Sequence, residues 1–214
     1  MTERRWTLPN TITVGRIIAC PVVFYLAMQP GTALRILAFV LFLAAALSDL
    51  WDGYLARKHD WITDIGKLLD PLADKLLLVA TVVPIYLISQ RPGPIGDLPW
   101  IGALPLWVVL VLFGREVLIT VLRQVATRQG LVIAAGSSGK RKALLQNLFV
   151  GGALFWFPIA QMAADRGWTG TTAWTAWQTF HALWIAVTLA LALFLTVYSL
   201  VDYLWKYRSV LGVT

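Results

Sequence analysis

The chain has 214 residues, 58% of them hydrophobic and 14% charged, with a net charge of +7 and a mean hydropathy of +0.71. A soluble domain carries about one quarter charged residues, so this composition excludes a water-soluble fold and points to one membrane-embedded domain over 1–214. The single cysteine, Cys20, excludes an intramolecular disulfide and a thiolate metal cluster.

Leu8-Pro9-Asn10-Thr11 is expected to end a short N-terminal interfacial segment and to start the first span. Apolar runs follow at 14–28, 34–56, 70–89, 99–123, 143–163 and 174–203, near the length a helix needs to cross a bilayer. The expected fold is all-α, an integral membrane protein with six transmembrane helices. Arg4-Arg5 precedes the first run, but no small-residue cleavage site follows it, so that run is expected to be retained. Three connections are short and rich in turn formers: Gln29-Pro30-Gly31-Thr32, Arg91-Pro92-Gly93-Pro94 and Asp165-Arg166-Gly167. The others are polar, with a charged link at 57–67 and a Gly/Ser stretch in 124–142 that leads into Lys140-Arg141-Lys142. Alternating the connections between two sides puts 15 basic residues on one side and only Arg35, Arg91 and Arg166 on the other. That asymmetry predicts a cytoplasmic basic side holding both termini. The positive charge then faces anionic headgroups and phosphates, and no nucleic-acid partner is expected. Short loops favour a bacterial inner membrane.

The chemistry concentrates at the second and third runs. Asp49 and Asp52 stand at i and i+3, Asp70 and Asp74 at i and i+4, so each pair shares one helix face. Counting from Leu34, Asp49 lies roughly 22 Å and Asp52 roughly 27 Å along the second span, near one edge of a core about 30 Å thick. Four carboxylates without His or Cys suit two hard cations, Mg²⁺ or Mn²⁺. Two metals can clamp a diphosphate and stabilise a leaving phosphate. Arg57, one turn beyond Asp52-Gly53, is positioned for a bidentate phosphate contact. Gly53, Ala56 and Gly66 allow close approach of a helix or a ligand. A divalent-cation transporter is the rival from another class, but it predicts acids spread through the membrane depth, whereas these cluster at one edge.

The full pattern is Asp49-x-x-Asp52-Gly53-x-x-Ala56-Arg57, eight residues, then Gly66-x-x-x-Asp70-x-x-x-Asp74. It resembles the signature of the CDP-alcohol phosphatidyltransferases. The resemblance implies that family's six-helix membrane fold, a homodimer, and an active site open to the cytoplasm. It further implies two divalent cations on Asp49, Asp52, Asp70 and Asp74, donor contacts from Gly53, Ala56 and Arg57, and Asp74 as the general base. The implied reaction is attack of an alcohol on the β-phosphorus of a CDP-linked lipid, with release of CMP.

Outside the signature, Leu8-Pro9-Asn10-Thr11-Ile12-Thr13-x-x-Arg16, Asp70-Pro71-x-Ala73-Asp74-Lys75 and Gly114-Arg115-Glu116 through Gln146 resemble the phosphatidylglycerophosphate synthases of that family. Ala143 departs from them, standing where they commonly carry Thr. The implied substrates are CDP-diacylglycerol and sn-glycerol 3-phosphate. Asn10, Thr13 and Arg16 suit capping and anchoring of the first helix, and the resemblance implies substrate contact for them as well, with Asn10 and Thr13 on the donor side. Arg115, Arg123, Lys140 and Lys142 fall at the cytoplasmic ends of spans four and five, with Arg115 about 24 Å along its span. Convergent cations there would hold a second phosphate, that of the acceptor; the bland alternative pairs Arg115 with Glu116 or a neighbouring helix. A cardiolipin synthase of the same family, with phosphatidylglycerol as acceptor, would not need those cations. The remaining polar residues have simpler expected roles. His59 is expected in solvent and His181 beside a local partner. Asp202 is expected to pair with Lys206, and Gly151-Gly152 to serve helix packing.

Overall fold

A computed structural model describes residues 7–59, 61, 63–91, 96–128 and 137–206. The side chains of Leu50, Ala56, Arg57, Asp64, Lys67, Arg128, Lys206 and residues 137–140 lie outside that description.

Among the described residues six helices run in chain order: α1 Leu8–Met28, α2 Thr32–Lys58, α3 Asp64–Ser89, α4 Leu106–Arg128, α5 Ser137–Asp165 and α6 Thr172–Lys206. A 3-10 turn at Trp168–Gly170 precedes α6. The described residues contain no strand, only an isolated bridge between Leu98 and Gly102. Five of the helices are long and apolar enough to cross a membrane. The exception is α4, which carries Arg115, Glu116 and Arg123. The protein is therefore an all-α membrane protein, as the composition predicts.

Helix α1 packs along both α2 and α3, while α2 and α3 scarcely touch each other. On the far side α5 lies between α2 and α6, and α4 leans on α6. The core runs down the middle through Val23, Phe42, Ile85, Leu112, Phe149 and Ile185. Large apolar side chains such as Ile18, Leu110, Val117 and Phe194 point outward and are more than half exposed. A soluble monomer rarely shows so much apolar surface; here it is the face for lipid. Gly151 and Gly152 let α5 sit close to its neighbours, since a Cβ on Gly151 would lie 3.3 Å from Phe42 and one on Gly152 only 2.9 Å from Trp184. Packing is their role, as expected.

Helix starts differ from the expected ones, α5 for one beginning at Ser137 rather than at 143. Helix α1 starts at Leu8, with Pro9 in its first turn, so Leu8-Pro9-Asn10-Thr11 opens the first helix as expected; the interfacial segment expected before it falls on residues 1–6, outside the described residues. Proline lacks the N–H that the first turn leaves unpaired, so it fits there. Helix α3 starts at Asp64, capped by Thr63, whose hydroxyl accepts from the Gly66 N–H at 3.0 Å. Pro71 therefore lies inside α3 and Asp70 is a mid-helix residue. Helix α4 starts only at Leu106, because 96–105 is spent on turns and on Pro105. Arg115 is thus about 14 Å along its helix rather than about 24 Å.

Candidate active site

A polar stripe on α1 builds the site. Asn10, Thr13 and Arg16 recur every third residue, one face of a helix, and all three are buried. Asn10 does not cap α1. Its amide Nδ2 donates to Thr63 Oγ1 at 3.0 Å, tying α1 to the start of α3. The site Cβ of an alanine at 66 would lie 2.8 Å from Asn10 Oδ1, so Gly66 is the gap into which that amide fits.

Thr13 and Arg16 reach both carboxylate pairs. Thr13 Oγ1 lies 2.9 Å from Asp70 Oδ1, 3.3 Å from Asp52 Oδ2 and 3.0 Å from the Pro9 carbonyl. One hydroxyl proton serves three acceptors there. Arg16 is fully buried, and its Nη1 donates to Asp49 Oδ1 at 2.5 Å and to Asp74 Oδ1 at 3.2 Å. Its Nη2 donates to Asp52 Oδ2. The four aspartates, drawn from two helices that hardly meet, are brought together across α1. Asp52 is buried at the floor, whereas the side chains of Asp49 and Asp74 are 44% and 62% exposed. The cluster therefore opens on one side.

Four carboxylates face one guanidinium and one hydroxyl. That set is all oxygen and short of donors, which fits hard divalent cations better than any softer metal. As they stand, no three His, Cys, Asp or Glu side chains among the described residues are arranged to hold a metal ion; the Arg16 guanidinium lies between them. The donor chemistry fits, and Arg16 occupies the point of convergence.

A second charged group adjoins the first. Glu116 on α4 accepts from Arg115 Nη1 at 2.9 Å and from Lys142 Nζ, on α5, at 2.5 Å. Lys142 is buried, and Glu116 lines one cavity with Lys75, the residue that follows Asp74. Arg115 Nε also donates to Ser199 Oγ at 3.3 Å, and Arg123 Nη2 to Tyr203 Oη at 2.8 Å, both on α6. Of the four expected acceptor cations, Arg115 and Lys142 meet on one carboxylate and Arg123 stands against α6. The side chains of Lys140, Arg57 and Ala56 lie outside the described residues, as does that of Lys206, the expected partner of Asp202.

Two participants matter more than their sequence positions suggest. Arg16 is the centre of the cluster rather than an interfacial anchor, and Glu116 organises the neighbouring cations. A polar residue at every third position of an apolar helix was the available signal for Arg16. The expected bland roles fit elsewhere: His59 stacks on Trp61 with ring centroids 4.8 Å apart, and His181 Nε2 lies 2.9 Å from the Gly152 carbonyl.

The CDP-alcohol phosphatidyltransferase family profile matches residues 6–201. The chain belongs to that family. It is 35% identical over 157 residues to a probable phosphatidylglycerophosphate synthase of Mycobacterium tuberculosis, covering 72% of this chain and 67% of that protein. It is 30% identical over 204 residues to the CDP-diacylglycerol–glycerol-3-phosphate 3-phosphatidyltransferase of Bacillus subtilis, covering 85% and 97%. A CMP-forming cardiolipin synthase of Streptomyces coelicolor is 30% identical over 200 residues, covering 87% and 82%. The chain is thus a transferase of phospholipid biosynthesis, and the transporter reading falls away.

Proposed function

We propose that this chain transfers the phosphatidyl group of CDP-diacylglycerol to sn-glycerol 3-phosphate, giving phosphatidylglycerophosphate and CMP. The observation that carries this reading is the adjacency of two groups of opposite sign. Glu116, which Lys142 shares with Arg115, lines one cavity with Lys75, the residue that follows Asp74 of the carboxylate cluster. One group suits a diphosphate with its cations, the other a second phosphate. The names of the tuberculosis and Bacillus relatives support the same acceptor.

In this mechanism Asp49, Asp52, Asp70 and Asp74 hold two Mg²⁺ or Mn²⁺ ions, which supply charge neutralisation for the donor's phosphates. Gly53, Ala56, Arg57 and Gly66, with Asn10 and Thr13 from α1, line the donor side. Arg115, Arg123, Lys140 and Lys142 hold the acceptor's phosphate and so present its C1 hydroxyl. Asp74, the most exposed carboxylate bonded to Arg16, accepts the hydroxyl proton. The oxygen attacks the β-phosphorus, its P–O bond to the CMP phosphate breaks, and CMP leaves.

The Streptomyces relative favours a second reading, phosphatidylglycerol as acceptor. The purified chain separates the two by CMP release from CDP-diacylglycerol with glycerol 3-phosphate or phosphatidylglycerol offered in parallel. Release with glycerol 3-phosphate alone is expected, lost in EDTA and restored by Mg²⁺ or Mn²⁺. Release with phosphatidylglycerol alone refutes the acceptor, and release that survives chelation refutes the metals. We further place the protein in the bacterial inner membrane as a homodimer with both termini and the site cytoplasmic, on the 15-to-3 basic asymmetry and the family resemblance.

A further inference from the structure

Arg16 stands where the proposed metal site needs its centre. We propose that Arg16 is an internal counter-ion that competes with divalent cations for Asp49 and Asp74, so that a residue of α1 sets the metal affinity of the site. This rests on the two-metal reading above.

Three observations carry it. One nitrogen, Nη1, joins Asp49 of α2 to Asp74 of α3 at 2.5 and 3.2 Å, and a cation shared by those two carboxylates would need the same space. Asp49, Asp70 and Asp74 are open to the outside, whereas Asp52, held by Nη2 and near Thr13, is buried. A cation arriving from the open side therefore meets the two carboxylates that Nη1 binds, and Arg16 can keep Asp52 while it yields them. Finally, Arg16 Nε is buried with no hydrogen-bond partner among the described residues. The fork is not locked at its base, and leaving the donor unpaired is costly, so a swing of the guanidinium is opposed by no bond there.

Competition of this kind is reciprocal. The guanidinium stabilises the metal-free protein by neutralising part of four clustered negative charges, and it weakens metal binding by the bonds that must be surrendered. Hydrogen bonds to charged groups contribute enough that losing one corresponds to about tenfold to a hundredfold in affinity.

The test measures Mn²⁺ binding by electron paramagnetic resonance, with the full chain in detergent and no lipid substrate, for wild type, Arg16→Gln and Arg16→Lys. Arg16→Gln is expected to bind Mn²⁺ about tenfold or more tighter. It is also expected to unfold at a lower temperature than wild type in EDTA, with the gap closing at saturating Mn²⁺. Should that variant not fold, Arg16→Lys carries the test: one ammonium keeps the charge but cannot engage three carboxylates as the guanidinium fork does, so tighter binding than wild type is again expected. Equal or weaker Mn²⁺ binding by the folded variants overturns the competition and leaves the metal site standing. A stability deficit that Mn²⁺ does not close also overturns it. Absence of Mn²⁺ binding in all three chains overturns the metal reading itself.

Discussion

Glutamine at 116 gives the sharpest separation of structure from function at the acceptor group. Glu116 accepts two charge-assisted hydrogen bonds, at 2.9 Å from Arg115 and 2.5 Å from Lys142, and the Lys142 side chain is only 5% exposed. Gln keeps the shape and one acceptor but removes the anion, leaving a buried ammonium without its counter-charge. Breaking a buried pair in this way costs about 3–5 kcal/mol. The lower end applies, because Glu116 itself is 23% exposed and Gln retains a weaker contact. At about 2–4 °C per kcal/mol for a chain of this size, a loss of about 3 kcal/mol lowers the melting temperature by about 6–12 °C. The assay is thermal unfolding in detergent, with and without glycerol 3-phosphate. If Arg115 and Lys142 hold the acceptor's phosphate, a dianion replaces the missing carboxylate, so glycerol 3-phosphate raises the melting temperature of Glu116→Gln more than that of wild type. Equal ligand shifts in the two proteins refute the phosphate assignment. A variant that melts within 1 °C of wild type refutes the premise that the ion pair stabilises the fold, a threshold well below the shift expected from about 3 kcal/mol.

Other perturbations read other parts of the site. Asp74→Asn is expected to lower CMP release by about two to four orders of magnitude, the usual span for a lost general base, while binding of CDP-diacylglycerol measured by calorimetry persists; loss of both removes Asp74 from that role. Gly66→Ala places a Cβ 2.8 Å from Asn10 Oδ1 and is expected to cost about 1–3 kcal/mol of stability, as overpacking does. Adding Asn10→Ala removes the offending atom, so the double variant should lose less than the two single losses combined, and strict additivity would exclude the contact as the cause. Thr13→Val deletes the hydroxyl between Asp52 and Asp70 without a change of shape. About a tenfold to hundredfold fall in Mn²⁺ affinity is expected from the loss of an outer hydrogen bond to the ligands, and unchanged affinity would show that Thr13 does not orient them.

The order of amino acids alone specified the class of protein, because apolar run length and charge deficit are set by the solvent a chain must face. It also determined the carboxylate pairs, since i, i+3 and i, i+4 spacings need nothing beyond helix geometry to define a face. It did not reveal how the pairs meet. Asp49 and Asp74 come together through Arg16 on α1, and which face α1 turns to α2 and α3 is decided by packing among six helices, with gaps such as Gly66 admitting Asn10. The same limit explains Lys142: its charge was visible, and so was the pairing of Arg115 with Glu116, but that Lys142 shares Glu116 depends on how α5 crosses α4. Helix ends were the least legible feature. Pro71 reads locally as a helix start, yet Thr63 caps α3 earlier, and α4 starts late because the chain turns before Pro105. Local spacing fixes which groups share a face, whereas only the assembled bundle decides which faces share a site.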